Sequence, residues 1–333
     1  MRAACLYGSE LRIEDRPAPT PAPGEVLVAV DHAGICGSDL AAHTYGLAEG
    51  FVLGHEISGA IVGVGADVDR RRVGERVAVL PVIGCGDCGP CRSGQPTHCR
   101  TYRALGITAP GGFADLVVAG GRETFRLPDH LGHDLGALVE PLAIGLHTVR
   151  RARLNGLERI LVQGAGPIGL AVTAWLAARG VRGLVVSDPV GARRELALRC
   201  GAQAVIDPVT HDVTRAFRAE CGCKPEVIFD CAGGQLGEAV GLAGRDARIV
   251  VAGYHSQHVP VDTQLALVKE LDVIFTSWYT SDEFRYTLDT VARDGLAVEA
   301  MITHRIGLDD LPGMYDALKH PNDQGKVVIE LGS

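Results

Sequence analysis

The stretch Ile160-Leu-Val-Gln-Gly164-Ala-Gly166-Pro-Ile-Gly169 decides how the larger part of this chain folds. A short apolar run leads into a G-x-G-x-x-G pattern, and the residues after it favour a helix. In that context the first glycine permits a tight turn, the second lets the backbone approach a pyrophosphate, and the third allows close helix packing. A glycine turn that binds nothing is the alternative, which the flanking strand and helix disfavour. The predicted dinucleotide site comprises Gly164, Gly166, Pro167, Ile168 and Gly169.

From about residue 159 onward, short apolar runs alternate with helical stretches. The runs that favour strands are 159–163, 183–187, 204–206, 226–230, 247–252 and 272–277. The clearest helices between them are 168–179 and 192–200. Strands separated by such crossovers predict an α/β fold with a doubly wound parallel sheet, the Rossmann arrangement.

Asp188 ends the strand that follows the glycine pattern. It lies within the roughly 20 residues at which a carboxylate accepts hydrogen bonds from the ribose hydroxyls of a dinucleotide. Because an acid there repels a 2′-phosphate, the sequence predicts NAD rather than NADP. Arg193 and Arg194 lie just downstream and could soften that preference. The alternative role for Asp188 is the N-cap of the next helix, which it could also hold together with the first role.

The first 125 or so residues have a different sequence pattern. Short apolar runs lie among many glycines and prolines, which is typical of an irregular β domain. The tail has helices at 282–293 and about 312–320 and a strand at 326–331, and it looks like more of that domain. We expect a mainly β domain at 1–141, a dinucleotide-binding domain at 142–278 and a return to the first domain at 279–333. The length of 333 residues accommodates both.

Charge and hydropathy exclude some classes of partner. The net charge of −8 offers no basic field for a phosphate backbone, which argues against nucleic acid. The sequence has no apolar stretch of the roughly 18 residues that a membrane helix needs, and its first residues include charge too early for a secretory signal. The expected location is the cytoplasm, with no membrane partner.

Four cysteines lie at C-x2-C-x2-C-x7-C spacing in a lobe at about residues 84–100. Four thiolates close a tetrahedral zinc site with no open position, so such a site is structural. Its predicted ligands are Cys85, Cys88, Cys91 and Cys99. His98 lies among them, but the tetrahedron is already complete.

Because the four-cysteine site has no open position, a catalytic metal would need a second site with mixed ligands. A catalytic zinc takes about three protein ligands and leaves a position open. The candidates are Cys36 in Gly34-Ile-Cys-Gly-Ser-Asp39, His55 in Gly54-His-Glu56, and Glu140 in Val139-Glu-Pro-Leu. One thiolate, one imidazole and one carboxylate leave zinc near neutral, a modest Lewis acid that lowers the pKa of a bound alcohol.

With these motifs in this order, the chain resembles the zinc-dependent medium-chain alcohol dehydrogenases from about residue 1 to 331. The Glu140-Pro141 pair makes it most similar to the branch of sorbitol, threonine and polyol dehydrogenases. The resemblance implies a GroES-like catalytic domain, NAD, one structural and one catalytic zinc per chain, and a homodimer or homotetramer. It implies a catalytic zinc held by Cys36, His55 and either Glu56 or Glu140. It also implies that two strand ends bind the nicotinamide, at Cys231, Ala232, Gly253 and Tyr254.

A proton must leave the site when an alcohol is oxidised. Ser38, two residues after Cys36, is placed to accept it, with a loop-capping serine as the alternative. Relatives often carry a relay histidine where this chain has Ala41; the nearest candidate is His43, equally well an ordinary loop residue. Asp39 is expected to orient His55.

The substrate is the least defined part of the prediction. Tyr45, Val82, Ile83 and Trp278 are expected to form a partly apolar wall. Trp278 falls where sorbitol dehydrogenases place an arginine, which argues against a sugar alcohol. We expect a secondary alcohol or ketone, with cyclic and polyol-like compounds both open. The alternatives are a zinc-free quinone or enone reductase of the same fold and a non-catalytic NAD-binding relic.

Overall fold

The computed structural model describes residues 1–255, 257–320 and 323–332. It confirms the expected fold class, with a mainly β part joined to a parallel sheet that carries helices. Ser333, at the end of the expected return segment, lies outside the described residues.

Short strands build the first part of the chain. They are β1 (Arg2–Tyr7), β2 (Glu10–Asp15), β3 (Glu25–Gly34), β4 (Phe51–Val52), β5 (Glu56–Val64), β6 (Arg76–Val79), β7 (Val82–Ile83), β8 (Arg103–Ala104), β9 (Leu116–Gly120) and β10 (Thr124–Arg126). Between them lie α1 (Gly37–Leu40), α2 (Gly89–Arg92) and 3-10 turns at Ala42–Thr44, Arg70–Arg72 and Pro96–His98. β3 is central and pairs antiparallel with β5 and β9. Its alternate residues Val26, Val28 and Val30 are buried, as a strand with one face on the core requires.

The Rossmann part follows α3 (His133–Arg151). Its strands are β11 (Ile160–Gln163), β12 (Leu184–Ser187), β13 (Ala204–Ile206), β14 (Val227–Asp230), β15 (Arg248–Val251) and β16 (Asp272–Phe275). Its helices are α4 (Pro167–Ala178), α5 (Gly191–Arg199), α6 (Val213–Cys221), α7 (Leu236–Leu242) and α8 (Thr263–Lys269). The strands are parallel in the order β13-β12-β11-β14-β15-β16. The direction of winding changes between β11 and β14, so a crevice opens at their carboxyl ends.

Helix α3 spans the boundary that the sequence placed between residues 141 and 142. It is continuous, with Pro141 inside it. It packs against α4 of the Rossmann part and against β5 of the first part. Since both of its faces are buried by different parts, the helix belongs to the junction and no linker separates the two at this point.

The tail returns to the first sheet. Its elements are α9 (Ser281–Val291), a 3-10 turn at Glu299–Met301, β17 (Ile302–Gly307), a 3-10 turn at Leu308–Asp310, α10 (Leu311–Leu318) and β18 (Lys326–Glu330). β18 pairs with β3 and with β17, which is a strand outside the predicted ranges. Within the described residues, none of the helices combines the length and apolar character that crossing a membrane requires.

Candidate metal centre and cofactor cleft

The glycine pattern forms the turn between β11 and α4. Gly164 has a φ of 90°, a left-handed conformation that favours glycine. A Cβ on Gly169 would overlap the carbonyl oxygen of Gly164, so the helix approaches the turn only because residue 169 lacks a side chain. Gly166, Pro167 and Ile168 line a cleft of about 850 Å³ between the two parts of the chain. The amino end of α4 therefore faces open space, where its N–H groups can bind an anion.

Asp188 supports this turn from the end of β12. Its Oδ2 accepts a hydrogen bond from Ala165 N at 2.7 Å, and its Oδ1 accepts one from Val190 N at 2.8 Å. The N-cap alternative for Asp188 is wrong, because Val190 holds that position of α5. Arg194 donates to the carbonyl of Asp188 and pairs with Asp207, so its guanidinium is already engaged.

The other residues expected to contact the cofactor lie in two places. The cleft is lined at the ends of β14 and β15 by Cys231, Ala232, Gly253 and Tyr254. Arg193 instead donates from Nε to the carbonyl of Gln324 at 3.2 Å. This contact ties α5 to the segment before β18, so the structure does not bring Arg193 into the cleft wall.

The mixed set of metal-binding side chains comes together on the opposite side of the cleft. Cys36, His55 and Glu56 each offer one ligand atom, and these atoms lie within 4.8 Å of one another. Cys36 follows β3, and Glu56 opens β5 directly opposite Gly34 in the sheet. A Cβ on Gly34 would overlap the carboxylate of Glu56, so the glycine provides the space that this ligand occupies. A thiolate, an imidazole and a carboxylate at this spacing fit zinc.

Asp39 lies behind His55, as expected. Its Oδ1 is 3.5 Å from Nδ1 of His55, and its Oδ2 accepts a 2.9 Å hydrogen bond from Cys36 N. Nδ1 of His55 makes no hydrogen bond to the described residues. The interaction between Asp39 and the imidazole is therefore electrostatic attraction. Burial alone would lower the pKa of His55, but the negative charges of Asp39 and Cys36 outweigh it and raise that pKa. The same negative charges attract a metal cation.

Lys326 is a site residue that the sequence did not predict. It opens β18 and is 2% exposed, and its Nζ lies 2.6 and 2.7 Å from the two carboxylate oxygens of Glu56. Burial alone would lower the pKa of Lys326, but Glu56 and Cys36 raise it. Lys326 is 270 residues from Glu56 in the chain, so only the sheet brings the pair together. The only local signal was a lysine at the start of an apolar run.

Glu140 lies in the wall of the cleft but outside the close set of three ligands among the described residues. Its Oε1 accepts a hydrogen bond of 2.9 Å from the phenol of Tyr279. Burial raises the pKa of Glu140 to about 7, and the nearby Glu56 adds to the shift while His55 opposes it. Of the two carboxylates left open by the sequence, the structure groups Glu56 with Cys36 and His55.

Ser38 and His43 are placed differently. Ser38 lines the cleft, with Oγ 3.5 Å from Nε2 of His55. The ring of His43 is exposed, lies 3.2 Å from the carbonyl of Leu40, and borders a separate hollow. The structure therefore does not bring His43 to the metal side of the cleft.

The four-cysteine lobe forms a second cluster. Its sulfur atoms lie within 4.8 Å of one another and belong to Cys85, Cys88, Cys91 and Cys99. A Cβ on Gly84 would lie 2.5 Å from Sγ of Cys91, so this glycine lets the loop fold over the sulfurs. His98 is exposed outside the cluster. The lobe therefore has the closed, all-sulfur arrangement of a structural zinc site.

The predicted composition of the apolar wall of the cleft is partly wrong. Trp278 lines the cleft, together with Ile107 and Ile144. Val82 and Ile83 instead form β7, where pairing with β8 buries them in the core beside the cysteine lobe. Tyr45 packs edge-on against Tyr254, with ring centroids 6.3 Å apart, so it contacts the rim of the cleft.

Comparisons with known proteins agree with this geometry. The family model for the alcohol dehydrogenase GroES-like domain matches residues 22–129, and the model for zinc-binding dehydrogenases matches residues 167–293. The chain is 37% identical over 304 residues to the starvation-sensing protein RspB of Escherichia coli K12, covering 89% of this chain and 88% of RspB. It is 33% identical to 2-dehydro-3-deoxy-L-galactonate 5-dehydrogenase of Pseudoalteromonas atlantica, covering 99% and 98%.

A solved structure extends the comparison to the whole fold. The crystal structure of RspB from Escherichia coli CFT073, complexed with NADH, has a TM-score of 0.90 and 33% identity and covers 99% of both chains. The chain belongs to the zinc-binding medium-chain alcohol dehydrogenase family. It is a zinc-dependent, NAD(P)-binding dehydrogenase of that family, as the sequence motifs indicated.

Proposed function

We propose that this protein interconverts a secondary alcohol and its ketone by hydride transfer with NAD(H), using one zinc held by Cys36, His55 and Glu56. One observation carries the proposal. The mixed ligand set and the glycine turn line opposite sides of the same cleft. Zinc-assisted hydride transfer requires a substrate held between the metal and the cofactor, and this cleft has room for that arrangement. A non-catalytic relic has no need to keep both sides.

The chemistry divides between the bound groups and the side chains. When bound, zinc supplies a Lewis acid that lowers the pKa of the alcohol, and the nicotinamide accepts hydride. Ser38 relays the proton: its Oγ lies in the cleft 3.5 Å from Nε2 of His55, where it takes the proton of the substrate hydroxyl while giving up its own hydroxyl proton to water. Asp39 keeps Nδ1 of His55 as the protonated nitrogen, so that Nε2 remains a lone-pair donor.

The choice of NAD over NADP rests on Asp188. Its carboxylate lies at the end of β12 beside the glycine turn, where it repels a 2′-phosphate. An assembly of two or four copies and a cytoplasmic location remain predictions from the sequence.

The substrate class follows from the wall of the cleft. Trp278, Ile107 and Ile144 present apolar surface, which suits an alcohol with a ring or carbon body. The name of the Pseudoalteromonas atlantica relative denotes a dehydrogenase of a sugar acid. A test panel therefore includes secondary and cyclic alcohols, polyols and sugar acids.

The test is a screen of this panel with NAD and with NADP, following absorbance of the reduced cofactor. We expect turnover of at least one secondary alcohol and a higher kcat/KM with NAD. Metal analysis should give about two zinc per chain. No turnover across the panel, with zinc present at both sites, would contradict the proposal, and absence of zinc would favour a reductase that needs none.

Ser38→Ala and His43→Ala form a matched pair for the proton step. Ser38→Ala should lower kcat by about 100-fold, the usual size of a lost proton relay. His43→Ala should leave kcat nearly unchanged, because His43 lies outside the cleft. Equal losses in the two variants would overturn the role given to Ser38.

A further inference from the structure

Lys326 joins the two strands that supply the mixed metal ligands. Its Nζ contacts both carboxylate oxygens of Glu56 and also donates to the carbonyl of Ile35 at 2.9 Å. Ile35 precedes Cys36, and Glu56 follows His55. The buried ammonium group of Lys326 therefore contacts one metal ligand, Glu56, directly and the backbone next to another, Cys36.

A buried ion pair of this kind is not explained by folding stability, because its net contribution to the free energy of unfolding is small. Removing two charges from water carries a large desolvation cost, and well-packed apolar pairs of similar volume are often as stable or more so. Lys326 and Glu56 are 2% and 1% exposed, so they bear this cost in full. Their position beside Cys36 and His55 indicates that the pair serves the metal site.

We propose that Lys326 is a positioning residue that competes with the metal for Glu56 and thereby keeps one coordination position available to substrate. The proposal deepens the proposed function, and it rests on that function in taking zinc as the metal at this site.

The geometry explains why the competition is direct. Glu56 has two carboxylate oxygens, and Lys326 lies within 2.7 Å of both. The carboxylate is packed over Gly34, where even a Cβ would overlap it, so it has little space in which to turn away from either cation. Glu56 therefore divides its negative charge between Lys326 and a metal held by Cys36 and His55. An adjacent cation lowers the basicity of a carboxylate and repels a metal ion, so a carboxylate shared in this way is a weaker metal ligand than one bound to the metal alone.

The experiment uses Lys326→Met, which removes the charge and keeps an unbranched chain. Zinc release from the mixed site to a chelator is measured on the full-length protein, together with the visible absorption of Co²⁺ exchanged into that site. With the competing cation removed, we expect zinc release to slow by about tenfold, which corresponds to about 1.4 kcal/mol of added metal affinity, and the cobalt bands to shift. Lys319→Met is the control, because Lys319 is bound at the surface to Asp316 and the carbonyl of Ser9. It should behave like the wild type.

Unchanged or faster zinc release from Lys326→Met would overturn the proposal, whether or not the cobalt spectrum changes. If that variant does not fold by circular dichroism, Lys326→Gln replaces it, since its amide still donates a hydrogen bond to Glu56. We expect the same direction with a smaller change of about threefold, because the amide removes the charge but keeps a weaker, neutral hydrogen bond to Glu56; equal or faster release would again overturn the proposal. In a Glu56→Gln background, Lys326→Met should have no further effect, and slower release there would show that Lys326 does not act through Glu56. These readouts do not require turnover, so they remain decisive if no alcohol is oxidised.

Discussion

The phenol of Tyr279 donates a hydrogen bond of 2.9 Å to Oε1 of Glu140, and both side chains are buried. The bond joins helix α3 to the segment between β16 and α9, so it connects the junction helix with the end of the Rossmann part. Burial is the main cause that raises the pKa of Glu140 to about 7, and the hydrogen bond from Tyr279 opposes that shift. Tyr279 thus stabilises a carboxylate in the wall of the cleft.

Tyr279→Phe should lower the free energy of unfolding by about 2 kcal/mol, because it leaves a buried carboxylate without its donor. Urea unfolding measures the change. Tyr286→Phe is the matched control, since Tyr286 is 46% exposed, and it should change the free energy by less than about 0.5 kcal/mol. Equal effects of the two variants would show that the Tyr279 hydroxyl contributes nothing specific.

Trp278, the neighbour of Tyr279, has a φ of 63°, which is strained for a bulky side chain. This conformation directs the indole to the cleft while Tyr279 points inward to Glu140. Trp278→Gly should be more stable to urea than Trp278→Ala by about 1 kcal/mol, because glycine relieves the strain and alanine does not.

Both Trp278 variants should raise KM for the alcohol and leave KM for NAD unchanged, because the indole lines the cleft and its neighbour Tyr279 contacts Glu140, close to the metal ligands. A rise in KM for NAD alone would mean that the indole contacts the cofactor. A less stable glycine variant would mean that the backbone at residue 278 is not strained.

The glycine turn, the parallel sheet and the cysteine lobe were predictable from the sequence because each depends on local spacing. Gly164 and Gly169 lie five residues apart, and the lobe closes within one loop. Long-range pairs gave no such signal. Lys326 reaches Glu56 only through the pairing of β18 with β3, and β17 was missed because its alternation is weak and its outer residues are exposed. Val82 and Ile83 were placed in the cleft wall from sequence, whereas apolar residues of a short paired strand are as well suited to the core.

Glu283 should account for part of the free energy of unfolding that the protein loses as the pH falls. Burial alone would raise its pKa, but His147, the backbone N–H of Thr280 and Arg150 lower the pKa to about 2. Nδ1 of His147 lies 2.9 Å from Oε2 of Glu283. A carboxyl whose pKa is depressed on folding stabilises the protein above its ordinary pKa of about 4.3, and that stability is lost as the pH falls towards 2.

Between pH 7 and pH 3, the wild type should therefore lose about 1 to 2 kcal/mol more stability than Glu283→Gln. Urea midpoints at pH 7, 5 and 3 measure the difference. Asp282→Asn is the control from the same helical turn, where the side chain is exposed, and it should follow the wild type. Metal loss at low pH affects all three proteins alike, so parallel curves for the wild type and Glu283→Gln would contradict the prediction.

Asp188 is the residue through which cofactor binding and the glycine turn are most directly linked. Its two carboxylate oxygens accept hydrogen bonds from Ala165 N in the glycine turn and from Val190 N at the start of α5. In Asp188→Asn the side-chain amide must present an N–H to one of these N–H donors, so one hydrogen bond is lost and the turn loosens. We expect KM for NAD to rise by about tenfold and the free energy of unfolding to fall by about 1 kcal/mol.

The control variant is Asp246→Asn, at an exposed left-handed position that asparagine tolerates. It should change neither KM for NAD nor the free energy of unfolding. If NADP became no better a cofactor relative to NAD in Asp188→Asn, the carboxylate would not be the group that discriminates between them, and its role would be confined to holding the turn.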